Sequence, residues 1–278
     1  MNRSVKSFIL LVRNRILRYG FVQKSLGWTW SFLPSFVRQR LPIDSVALGF
    51  WNFRTGIFRW RLHPGELIGR KYFSIGFRKY EPNTQAFLSK FYNNRKDEEI
   101  TLLNIGANVG IWPLLISKKH QGARFLLVEP IPQNLELLRS NLRMNHISNF
   151  EIFGIAAGKE NKSSIIYQNN DLLGMSSAFV ETETPINVCV RRLDSIIEEE
   201  VDLILIDVEG FELEVLEGLS GLLRKQVPPV IVEASAETYG QLTQMMNNFG
   251  YTSGTLLGKE QKYKAQNKNF LFKARDEF

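Results

Sequence analysis

The run Leu102-Leu103-Asn104-Ile105-Gly106-Ala107-Asn108-Val109-Gly110 constrains this chain more than any other stretch. An apolar run that breaks into Gly-x-x-x-Gly and then into helix-forming residues predicts a first strand turning sharply onto a helix, with bare backbone at the bend. Gly106 can take positive φ there, Gly110 lets strand and helix pack closely, and the N–H groups at the helix start offer hydrogen bonds. About one crossover later the run Phe125 to Val128 predicts a second strand, which delivers Glu129 beside the turn. A carboxylate so placed can bind both hydroxyls of a ribose.

The spacing separates two classes of cofactor. A dinucleotide fingerprint has Gly-x-Gly-x-x-Gly, whereas the middle position here is Asn108, too bulky for a pyrophosphate to approach the backbone. An adenosyl cofactor without phosphates, S-adenosylmethionine, suits the turn better. An ordinary strand-to-helix turn followed by an exposed Glu satisfies the same few residues, because short glycine motifs recur by chance.

More of the chain bears on the choice. Tyr80-Glu81-Pro82, Asn104 to Gly110, Val128-Glu129-Pro130-Ile131-Pro132-Gln133-Asn134 and Asn141-Leu142-Arg143-Met144-Asn145 are followed by Ala156-Ala157-Gly158 and Arg192-Leu193-Asp194. Ile206-Asp207-Val208-Glu209-Gly210-Phe211-Glu212 and Ile231-Val232-Glu233 complete the series. In order and spacing these segments resemble the FkbM-type family of S-adenosylmethionine-dependent methyltransferases. The resemblance implies an α/β fold with a Rossmann-like class I methyltransferase sheet, mostly parallel and finished by an antiparallel strand. It also implies methylation of oxygen atoms on small molecules and sugars, and a segment at Tyr80 and Glu81 that folds over the cofactor. Where the family usually has Asp, this chain has Asn104. An amide still accepts a hydrogen bond from an ammonium group but lacks the ionic attraction.

The alternation of strands and helices by itself predicts a parallel sheet with right-handed crossovers. Strands are expected at Thr101 to Ile105, Arg124 to Val128, Phe150 to Ile155, Asp202 to Asp207 and Pro229 to Glu233. Helices are expected at Thr84 to Tyr92, Val109 to Lys119, Gln133 to Met144, Phe211 to Arg224 and Thr238 to Phe249, with closing strands near Tyr251 to Leu257 and Asn269 to Lys273. Ser163 to Tyr167 and Asn187 to Val190 suggest an extra β pair, with the loop Asn169 to Ser177 between them. In that pair Cys189, the single cysteine, is expected to be a buried strand residue.

Ligands of an open parallel sheet bind beyond the carboxyl ends of its strands, at the topological switch point. Asn104, Glu129, Ala156, Asp207 and Glu233 all fall at or just past such ends. The cofactor candidates are therefore Asn104, Gly106, Ala107, Asn108 and Gly110 for the methionine portion, Glu129 for the ribose, and Ala156 and Ala157 beside the adenine. Asp207 and, through the resemblance, Glu81 join them. Asp207, Glu209 and Glu233 are the candidate catalytic acids, with strand alternation expected to aim Asp207 and Glu209 the same way. Two acids there can hold an acceptor, bind a divalent cation or act as general base, or they can complement the positive end of the following helix, as Glu212 and Glu214 do. Asn134 and Asn141 are expected on a helix face or as caps.

Charge is unevenly placed. Residues 1–100 carry 18 Lys or Arg against six Asp or Glu, and the remainder 17 against 22, so the excess of positive charge belongs to an N-terminal extension. Val5, Phe8, Ile9, Val12, Ile16 and Tyr19 fall near helical spacing among Arg3, Lys6, Arg13, Arg15 and Arg18. Trp28, Trp30, Phe32 and Phe36 follow. Such a basic amphipathic segment can rest on an anionic membrane surface or pack on the catalytic half or a second subunit. Short β-rich pieces at Phe50 to Phe53 and Gly56 to Leu62 suggest a hairpin-bearing cap, so the expected division is residues 1–79 and 80–278. No run reaches the roughly 18 apolar residues that span a bilayer, and no convincing secretory signal is present, so a cytoplasmic protein is expected. The three histidines show no ligand spacing, and no metal site is expected. The sequence thus predicts an O-methyltransferase acting on a sugar, glycan precursor or other polar small molecule. A cofactor-binding protein of the same fold without turnover and a nucleic-acid methyltransferase are the alternatives. The latter is disfavoured because Asp207-Val208-Glu209-Gly210 stands where an Asn/Asp-Pro-Pro-Tyr/Phe motif is needed.

Overall fold

A computed structural model describes residues 51–55, 58–62, 80–96, 98–168, 176–177, 184–258 and 267–275. The chain divides into two compact units, residues 1–80 with 169–175, and residues 81–168 with 176–278. In the first unit β1 (Trp51–Thr55) and β2 (Phe58–Leu62) pair antiparallel, with Trp51 opposite Leu62 and Thr55 opposite Phe58, which is the expected hairpin. The basic helix expected between Val5 and Tyr19, the aromatic segment after it and residues 169–175 of the loop expected at Asn169 to Ser177 lie outside the described residues.

The second unit opens with α1 (Pro82–Asn93), then β3 (Thr101–Ile105), α2 (Ile111–Ser117), β4 (Arg124–Val128), α3 (Pro132–Met144) and β5 (Phe150–Phe153). A side sheet follows, made of β6 (Ala156–Ala157), β7 (Lys162–Gln168), β8 (Ser176–Ser177) and β9 (Thr184–Arg191). The chain then returns through β10 (Leu203–Ile206), α4 (Glu212–Gly218), α5 (Ser220–Gln226), β11 (Val230–Ser235), α6 (Tyr239–Asn248), β12 (Thr255–Leu256) and β13 (Asn267–Phe272). The main sheet has seven strands in the order β12-β13-β11-β10-β3-β4-β5, parallel throughout except for β13, which runs antiparallel to both neighbours. This is the mostly parallel sheet with an antiparallel last strand that the resemblance implies. The chain moves outward from β3 in one direction as far as β5, then resumes on the other side with β10, so the switch point lies between β3 and β10.

Every residue of β3 and β10 is buried, as are Phe125 to Val128 of β4, because helices cover both faces of such strands. Each of those fully covered Leu and Ile side chains contributes about 1.5–3 kcal/mol relative to exposure. Register aligns the strand ends: Ile105 pairs with both Val128 and Ile206. The residues that follow, Gly106, Glu129 and Asp207, therefore emerge along one edge.

Four expectations are corrected by tertiary contacts. The strand from Phe150 stops at Phe153, and Ala156–Ala157 leaves the main sheet to pair with Val190 and Arg191 of β9. The helix expected from Phe211 to Arg224 breaks at Leu219. There Gly218 abuts the backbone of Gly158, where an added Cβ would sit 2.0 Å from the carbonyl oxygen, while Asp194 accepts a bond from Gly221 N and Arg192 reaches Ser220. Of the closing strand expected at Tyr251 to Leu257, only Thr255–Leu256 and an isolated bridge from Tyr251 to Ala274 pair. Cys189 does lie on a strand but faces outward, since Val188 and Val190 on either side of it take the buried face.

Candidate active site

The bend after β3 is fixed by its own backbone. Gly106 (φ +83°), Asn108 (φ +49°) and Gly110 (φ +89°) are all left-handed. Gly106 admits no substitute, because a Cβ there would lie 1.8 Å from the carbonyl oxygen of Asp207. Gly110 does not ease strand-to-helix packing as expected; its bare Cα faces α3, where a Cβ would lie 2.7 Å from Leu138 Cδ1. The N–H groups of the bend itself, as distinct from those of the helix start at Ile111, are taken up within the protein. Gly106 N and Ala107 N both donate to Val128 O, Gly110 N donates to Ala107 O, and Asn108 N donates to Glu129 Oε2, each at 2.9 Å.

Glu129 stands beside this turn as expected, and it is buried, with 4% of its surface exposed. Its Oε1 accepts bonds from Ile131 N (2.9 Å) and Asn134 Nδ2 (3.1 Å), in addition to the Asn108 bond on Oε2. A carboxylate has about four lone-pair positions, so one remains on Oε2, enough for one ribose hydroxyl rather than two in this conformation. Burial pushes the Glu129 pKa up, against the pull of its three donors in the other direction.

Two residues assigned to a helix face or cap prove to be supports of the site. Asn134 is not the cap of α3, a position held by Ile131, but is buried against Glu129. Asn141, with no exposed surface, donates through Nδ2 to Val109 O at 2.8 Å and pins the glycine turn from behind. A signal was available in the sequence: Asn134, Leu135, Leu138, Asn141 and Leu142 share one helical stripe, and an amide on an apolar stripe needs a buried partner.

Asn104 is the converse case. It has no exposed surface, and neither its Oδ1 nor its Nδ2 has a hydrogen-bond partner among the described residues. A buried amide left in this way costs about 1–3 kcal/mol, so the position suits a polar ligand group reaching the end of β3.

Acids gather on the other side of the switch point. Asp207 follows β10, and Glu233 lies on the neighbouring strand β11. Although Asp207 retains some open surface, burial is the largest cause raising its pKa well above the usual carboxylate range, followed by the charges of Glu233, Glu81 and Glu209. Glu81 precedes α1 in a left-handed conformation and accepts a 2.8 Å bond from Asn269 Nδ2, the residue directly opposite Glu233 on β13. Strand alternation does not carry on to Glu209. The strand has ended at Ile206, Glu209 adopts φ +52° in the turn, and its side chain is exposed. Glu212 is buried and accepts a bond from Gly210 N at 2.8 Å, so it closes the start of α4 instead of facing the crevice. Ala107 is buried in the turn, while Ala156 and Ala157 are half-buried in β6 of the side sheet.

These residues fit S-adenosylmethionine on two counts. The unpartnered Asn104 amide can accept from an ammonium group and donate to a carboxylate, which a methionine portion presents together. The acids Glu81, Glu129, Glu209 and Glu233 suit a sulfonium and ammonium while repelling a pyrophosphate.

Sheet order, glycine turn and acidic crevice together define a Rossmann-like methyltransferase. The family model of the methyltransferase FkbM domain matches residues 104–253, which span the turn, Glu129, Asp207 and Glu233. The chain belongs to the methyltransferase FkbM family. A relative, Methyltransferase 1 of Beauveria bassiana (strain ARSEF 2860), is 23% identical over 175 residues, which cover 54% of this chain and 70% of the relative. Among solved structures, the methyltransferase FkbM of Methylobacillus flagellatus KT is similar with 19% identity and a TM-score of 0.48, over 86% of this chain and 57% of that one. TYW2 of M. jannaschii, solved in complex with AdoMet, shows 10% identity and a TM-score of 0.46 over 81% of this chain and 86% of its own. Among the described residues no helix is long and apolar enough to cross a membrane.

Proposed function

We propose that this chain is an S-adenosylmethionine-dependent methyltransferase that methylates a hydroxyl oxygen of a sugar, glycan precursor or other polar small molecule. The observation that carries the reading is the convergence of the unpartnered Asn104 amide, Glu129 and the acids Asp207 and Glu233 along one edge of the sheet. Asn104 would meet the methionine end, Glu129 a ribose hydroxyl, and Ala156 and Ala157 would border the adenine. Bound there, the cofactor supplies an electrophilic methyl group on a sulfonium. The protein's part is to align an acceptor oxygen and exclude water, since in-line transfer gains most from positioning and desolvation. Asp207 and Glu233, on neighbouring strand ends, would order the acceptor hydroxyl. Glu233 then takes the hydroxyl proton as the oxygen is methylated, leaving a neutral ether product.

Calorimetric titration with S-adenosylmethionine and S-adenosylhomocysteine tests the cofactor, and transfer of labelled methyl to a panel of sugars and polyols tests the acceptor. Absence of cofactor binding refutes the reading. Binding without turnover on any acceptor favours the alternative of a cofactor-binding protein, which the amide at position 104 supports. We further propose that residues 1–40 contact anionic membrane surfaces, on the strength of Arg13, Arg15 and Arg18 beside Trp28 and Trp30.

A further inference from the structure

At the edge of the main sheet opposite the crevice, α1 and β13 enclose a half-open groove of about 300 Å³. Register fixes its place: Glu233 pairs with Asn269 toward the crevice, whereas Val230 pairs with Phe272 at the far end, where Pro229, Leu271 and Lys273 line the groove. None of its lining residues belongs to the candidate active site.

The groove has an apolar floor and a basic rim. Pro229 and Leu271 are buried, and Phe87 and Phe91 on successive turns of α1 lie side by side with ring centres 6.0 Å apart and planes at 29°. Lys90, Arg95 and Lys273 surround them, Asn94 adds an amide, and among the described residues no carboxylate lines the groove. Arg95 already lies over the Phe91 ring at 4.4 Å, and its nitrogen is 3.8 Å from the exposed Glu98, a pair of little strength. Neither the Lys90 nor the Lys273 ammonium has an ion-pair partner among the described residues.

We propose that this groove binds a small amphipathic phosphate monoester, with a flat apolar body against Phe87 and Leu271 and the phosphate between Lys90 and Lys273. Its volume lies at the lower end of small-ligand sites. Two ammonium groups without an opposing acid among the described residues match a dianion, and lysine serves phosphate as a point charge. The apolar floor gives the organic body a place that a free inorganic ion does not use. This proposal does not depend on the methyl-transfer reading.

The test is titration of the full chain with naphthyl phosphate, naphthol and inorganic phosphate, followed by naphthyl fluorescence and by amide and methyl NMR shifts. Naphthyl phosphate is expected to bind about tenfold or more tightly than either fragment, a difference of about 1.4 kcal/mol. The shifts are expected at Leu271, Phe91 and Arg95, and the double variant Lys90→Ser with Lys273→Ser is expected to weaken binding about tenfold. Naphthol binding as tightly as the ester would mean an unspecific apolar groove, and inorganic phosphate doing so would mean an adventitious ion only. Shifts centred on Asn104 and Glu129, or no saturation below about 10 mM, would equally overturn the proposal.

Discussion

Replacing Glu129 by Ala removes the acceptor of three donors at once: Asn108 N and Ile131 N at 2.9 Å, and Asn134 Nδ2 at 3.1 Å. Asn134 can turn its amide away, but the two backbone N–H groups are held by the glycine turn and by the start of α3. An unsatisfied buried donor costs about 1–3 kcal/mol, and water entering the vacated space recovers part of it. The expected loss of stability is therefore about 3 kcal/mol, or roughly 6–12 °C in Tm for a unit of this size. Glu129→Gln keeps an oxygen for Ile131 and Asn134 but turns its NH2 toward Asn108 N, so it should lose only about 1–2 kcal/mol. Cofactor affinity should fall by about 1.5–3 kcal/mol in the Ala variant and by less in Gln. Urea unfolding gives the stabilities, and calorimetry on the folded variants gives the affinities. An Ala variant as stable as the parent would show that the carboxylate is not held as described. Lost stability with unchanged affinity would make Glu129 a support of the turn alone.

Asn104→Asp should lower the stability of the free protein by about 1–3 kcal/mol, because it places a carboxylate at a fully buried position without donors, and yet tighten cofactor binding by about 1–2 kcal/mol; weaker binding on calorimetry would show that the amide is itself the adapted choice. Asp207 has a raised pKa, so its contribution to stability is fully present below about pH 4 and is lost as pH rises through the folded value. Asp207→Asn removes the ionisable group and should remove that loss, leaving a variant more stable than the parent at high pH; identical pH profiles of urea unfolding would contradict this. Gly106→Ala forces a Cβ to within 1.8 Å of the Asp207 carbonyl at positive φ, and should destabilise by at least about 2–4 kcal/mol in the same assay. Removal of residues 1–40 should abolish co-sedimentation with anionic vesicles and leave cofactor affinity intact, and full-length protein that ignores such vesicles at low salt would end the membrane proposal.

The local text of the chain determined a good deal. Thr101 to Ile105 and Arg124 to Val128 were legible to the residue, since each is a short apolar run closed by turn or loop residues and buried on both faces. The left-handed conformation of Gly106 followed from a glycine at a sharp strand-to-helix bend, and the ordered motifs identified the family. The positions of Asn104, Glu129, Asp207 and Glu233 along one edge also followed, because strand ends in a parallel sheet share an edge whatever the side chains do.

Only the tertiary structure decided how those side chains are employed. Glu129 has most of its acceptor capacity taken by Asn108, Ile131 and Asn134, a fact that rests on the angle at which α3 meets the turn. Glu81 reaches the acids through Asn269, 188 residues away in the chain, and no local periodicity encodes such a contact. The break at Leu219, the departure of Ala156 from the main sheet and the outward face of Cys189 likewise come from packing on neighbouring elements. Hydrophobic period and turn chemistry act over a few residues and so can be read directly. The pairing of buried polar groups depends on which distant atoms lie within about 3 Å, and it is set only once the layers have packed.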